Sequence, residues 1–122
     1  MQNLTFIADI IRTERRKAQS AVDAFDSERE QMGVTYAIKW SATPAIIGTA
    51  VLDFLGAVER LEPSAAIEKA QQIRDDLQKR MSYYDPTTNP SSAGNALAQA
   101  AGLAAQREVI RIADDLIRYR DQ

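Results

Sequence analysis

The 122-residue chain contains no cysteine and no histidine. Without cysteine there is no disulfide, no thiolate nucleophile and no thiolate metal site. Without histidine the usual general base near neutral pH is missing, and so is the commonest metal ligand. Glycine (5) and proline (4) are scarce and scattered, so no glycine-rich loop is available to cradle a phosphate. Neither sign of charge dominates: fifteen Lys and Arg stand against seventeen Asp and Glu, a net charge of -2. That balance gives no general pull toward nucleic acid or anionic lipid. A serine or threonine nucleophile would need an activating base, and no motif sets Lys39, Lys69 or a carboxylate to that task. Together these absences argue against an enzyme, a cofactor or a metal centre.

What is present is helical in period. Apolar residues make up 45% and charged residues 26% of the chain, ordinary values for one globular domain, here spanning 1–122. The most apolar stretch, Ala42 to Val58, reads ATPAIIGTAVLDFLGAV and carries a single charge, Asp53. It must be buried. It falls short of the ~20 apolar residues that span a bilayer, contains Pro44, and is flanked by amphipathic segments. It therefore reads as the central helix of a bundle, with Pro44 in its first turn and Thr43 as cap. Ile47, Val51, Phe54, Val58 and Leu61 form one stripe, while Gly48 and Gly56 offer a face that another helix can approach closely. Asp53 is expected at a helix edge or paired with Lys39, Arg60 or an arginine from elsewhere.

In the first segment Leu4, Ile7, Ile11, Ala18, Val22, Phe25 and Met32 lie on one helical stripe. Glu14 and Glu28 interrupt the seven-residue repeat, which argues against a long two-stranded coiled coil. The third segment, from Pro63 or Ser64, buries Ala66, Ala70, Ile73, Leu77, Met81 and Tyr84. After the turn-rich stretch Asp85 to Asn95 comes an alanine-rich, helix-favouring segment. The last helix bears Val109, Ile112 and Leu116 on a face wide enough to be contacted from two sides. The expected fold is all-α: an antiparallel bundle of about four main helices, near 4–31, 44–61, 64–84 and 95–120, with a kink or short helix before Pro44.

The acidic pairs Asp75–Asp76 and Asp114–Asp115 diverge by about 100° on a helix and do not chelate one ion. The densest basic patch is Arg12, Arg15, Arg16 and Lys17, but Asp9 and Glu14 share its helix and no aromatic residue interleaves it. Trp40, Tyr36, Tyr83 and Tyr84 have the character of interface anchors; Trp40 reads equally as a lid on the bundle end. Arg111 and Asp115 are spaced to pair within one helix.

The leading expectation is a non-enzymatic interaction or assembly protein, such as a small structural subunit of a phage or bacterial complex or an inhibitor-type binding protein. Its partner is another protein or a second copy of itself, and no small-molecule substrate is evident. The candidate contact residues are Arg12, Arg15, Arg16, Lys17, Trp40, Tyr83, Tyr84, Val109, Ile112 and Leu116. The alternatives are a nucleic-acid-associated regulator using the basic cluster, and a small membrane-active, holin-like protein. The N-terminal residues lack the pattern of a secretory signal, so the expected location is the cytoplasm or a soluble assembly.

Overall fold

A computed structural model describes residues 2–82 and 93–118. The fold is all-α. Its elements are α1 (Gln2–Met32), α2 (Val34–Trp40), α3 (Ala42–Val58), α4 (Pro63–Ser82) and α5 (Ala93–Ile117). The four long helices and the short one before Pro44 correspond to the expected segments. As expected too, the flanking helices, with 31 residues in α1 and 25 in α5, exceed the 17 of α3 and 20 of α4.

The most apolar helix occupies the centre. α3 packs against α1, α4 and α5, and α4 pairs chiefly with α5. Val51, Phe54, Leu55 and Val58 of α3 meet Ile7 and Ala18 of α1, Ala66, Ile67 and Ala70 of α4, and Val109, Ile112 and Leu116 of α5. Burying a large aliphatic side chain in such a cluster stabilises the fold by about 1.5–3 kcal/mol. Small residues let α1 and α3 come together. A Cβ built on Gly48 would lie 2.6 Å from the Ala18 carbonyl oxygen and 3.3 Å from Val22 Cγ2. Gly56, expected on the same close-packed face, has nothing within 4 Å of such a Cβ and serves no such approach.

The two glutamates that break the apolar repeat of α1 are the polar clasps of the bundle. Glu14, buried, accepts a hydrogen bond from Arg111 Nη2 at 3.0 Å and lies 3.6 Å from Lys17 Nζ. Glu28 accepts one from the buried Ser41 hydroxyl. Ser41 therefore precedes α3 without capping it through its side chain, and the cap expected at Thr43 falls inside the helix. Pro44 lies in the first turn, where a missing N–H costs little. Pro63 opens α4 in the same way. α4 and α5 are clamped by Arg74, whose Nε lies 2.8 Å from Asp114 Oδ1, within ion-pair distance though not aligned as a hydrogen bond.

Candidate interaction surface

Gly33 sits between α1 and α2 with φ 93° and ψ 164°, a backbone conformation open essentially only to glycine. It turns the chain aside, so α2 leaves α1 as a separate arm. A second break at Ser41 bends α2 by 70° from α3. The arm reads VTYAIKW, with large apolar residues at every second position. Successive residues on a helix are about 100° apart, so Val34 and Ile38 fall on one side while Tyr36 and Trp40 fall roughly opposite. No single packing contact covers both sides. The helix rests on the bundle through Ala37, its one buried residue.

All four large side chains consequently face solvent. Val34 and Ile38 are each 55% exposed and Trp40 61%, and Tyr36, Met32 and Ile46 are exposed as well. Lys39 Nζ stands 5.0 Å from the centre of the Trp40 ring, a cation–π contact that leaves the outer ring face and the ammonium available. Next to this arm an open groove of about 560 Å³ runs between α1 and α3. It is lined by Val22, Phe25, Ala42, Ala45, Ile46 and Ala50, with Asp26, Thr49 and Asp53 as polar members. Asp26 is 3.9 Å from Arg29. Asp53 is exposed and forms no ion pair among the described residues; it sits at a helix edge, and the expected pairing with Lys39, Arg60 or another arginine is not made.

The remaining candidate contact residues fall elsewhere. Val109, Ile112 and Leu116 are buried in the core. The second side of the α5 face is covered by α4 of the same chain, so these three serve packing and are not offered to a partner. In the basic cluster, Arg12 lies 3.2 Å from Asp9, Arg15 binds Glu59 at the far end of α3, and Lys17 reaches Glu14. Arg16 is exposed with no ion pair among the described residues. Tyr83 and Tyr84 lie outside the described residues. Of the eight described candidates, Trp40 alone joins the exposed arm. The residues that accompany it, Met32, Val34, Ile38 and Ile46, were not candidates, although the period-two run inside a helical sequence was visible.

The strongest electrostatic constellation is structural. Arg111 reaches Glu108 at 2.6 Å, Asp115 at 3.0 Å and Glu14 on α1 at 3.0 Å. The hydrogen bond to Glu108, with that to Glu14, raises its pKa above the ordinary arginine value despite an opposing effect of partial burial. The guanidinium therefore stays charged at any accessible pH and ties α5 to α1. Among the described residues no three acidic side chains gather to hold a metal ion. No single described helix is long and apolar enough to cross a membrane, while the bent α2–α3 pair reaches that length and composition.

The chain matches no family model, no curated protein sequence and no solved structure.

Proposed function

We propose that this chain is a non-enzymatic interaction or assembly protein that docks on protein through the exposed apolar side chains of α2. The observation that carries this reading is the solvent exposure of Val34, Tyr36, Ile38 and Trp40 on one seven-residue helix. Single apolar side chains on a surface need no explanation, but four exposed on one seven-residue helix, two of them aromatic, mark a contact site. The bundle does not need these side chains for its own core, because Ala37 already seats the arm.

The test is a double substitution, Ile38→Ser with Trp40→Ser. The expected outcome is an unchanged fold by circular dichroism and a urea midpoint close to wild type, with loss of concentration-dependent association in light scattering or chemical cross-linking. A destabilisation of more than about 2 kcal/mol would place the two side chains in the core class and overturn the reading, as would undiminished association. Membrane attachment is a second reading favoured by the length and composition of the α2–α3 pair. It requires α3 to give up Val51, Phe54, Leu55 and Val58 from the core. Co-sedimentation with anionic liposomes separates the two readings.

A further inference from the structure

We infer that the partner on this surface is a second copy of the chain, held in a two-fold dimer in which α2 of each copy lies in the α1–α3 groove of the other, with Lys39 set against Asp53. The inference rests on the interaction reading above and names its occupant. Three observations carry it. The arm and the groove are both apolar and adjacent on one molecule, so each can satisfy its counterpart on a symmetry mate, as an isologous interface requires. Their charges are opposite: the arm presents Lys39, and the groove contains Asp53, the only charge in α3, without an ion-pair partner among the described residues. The spacing is also suitable. The groove runs from Ala42, beside the bend into α2, to Asp53, about 16 Å along the helix axis. A two-fold axis near its middle runs the two α3 helices antiparallel and brings the α2 end of each copy over the Asp53 end of the other. The 70° bend holds α2 off the line of α3.

An alternating pair of charges in such a dimer predicts a swap experiment. Lys39→Glu alone sets an introduced carboxylate against Asp53 at both contacts. Asp53→Lys alone sets an introduced ammonium against Lys39 at both. Each variant is expected to run as a monomer of 13.5 kDa at concentrations where the wild type runs at twice that mass. The dissociation constant should rise at least ~10-fold, the factor that a loss of about 1.4 kcal/mol produces. An equimolar mixture restores attraction at one of the two contacts, where the introduced carboxylate meets the introduced ammonium, and leaves the native Lys39–Asp53 pair at the other. It is expected to return to the dimer mass, with one copy of each variant by native mass spectrometry. Both positions are exposed, so the fold is retained; Lys39→Gln and Asp53→Asn, which weaken association without reversing charge, provide a second series. A wild type monomeric at millimolar concentration, variants that dimerise like the wild type, or a mixture of folded variants that stays monomeric overturns the pairing. Variants that dimerise like the wild type, or a mixture that stays monomeric, leave the α2 arm itself to be judged by the Ile38→Ser, Trp40→Ser variant, so the two failures are separable.

Discussion

Leu55 and Ile38 are isomeric side chains on neighbouring helices with opposite fates. Leu55 is fully buried, while Ile38 is more than half exposed. The difference is not hydrophobicity but the number of helices within reach. At the level of Leu55, α3 is enclosed by α1, α4 and α5; α2 packs mainly against α1 and α3. One end of the molecule is a core closed from all sides. The other is an apolar surface that the described helices leave open.

Substitutions can break or sharpen this contrast. The largest effect is expected for Leu55→Ala, which should lower unfolding free energy by about 2–5 kcal/mol in urea titration, whereas Ile38→Ala should change it by less than about 0.5 kcal/mol. Comparable costs at the two sites would show that the α2 end is as closed as the core. Next comes Gly48→Ala. The new methyl group meets the backbone oxygen of Ala18, which has no rotamer to yield, so a loss of about 1–3 kcal/mol is expected from the same titration. Glu14→Gln removes one carboxylate from Arg111. It should cost about 1 kcal/mol, the net value of a hydrogen bond, because the Arg111 side chain is itself 43% exposed.

A raised folded pKa gives stabilisation that is complete below the ordinary arginine value and lost only as pH rises through the folded one. The Arg111 contribution is therefore expected to be equal at neutral and at mildly alkaline pH, and urea midpoints of wild type and Arg111→Gln under the two conditions check it. The smallest effect has the opposite sign. Gly102 lies within α5, and a methyl group added there would meet nothing within 4 Å. Gly102→Ala should therefore raise the thermal midpoint, by up to about 1 kcal/mol of stability.

Much of this architecture was legible in the sequence. The run from Ala42 to Val58 reads as the central helix, and Pro63 marks a helix start because proline is tolerated in the first turn and not beyond it. Glu14 and Glu28 looked like flaws in an apolar seam. They are polar clasps, and only the placement of Arg111 and Ser41, distant in sequence, makes them so. The apolar face of α5 is wide enough for two sides of contact, but a sequence does not say whether the second side is covered from within; here α4 covers it, and Val109, Ile112 and Leu116 are buried. The basic cluster likewise reads as a patch until Glu59, from beyond another helix, reaches Arg15. The period-two spacing in α2 was the missed clue. It is incompatible with one-sided burial in a helix, so some of its large side chains had to face solvent.

Gly33 has a consequence beyond local geometry. Any residue with a side chain resists its backbone conformation, and an ordinary helical one there would fuse the two segments it separates into a continuous rod of roughly 58 Å. Trp40 would then be carried to the tip of a spar, far from the bend that now sets it beside α3. One missing methyl group thus decides whether the amino-terminal third of the polypeptide folds back as a hinge-jointed elbow or extends as a strut.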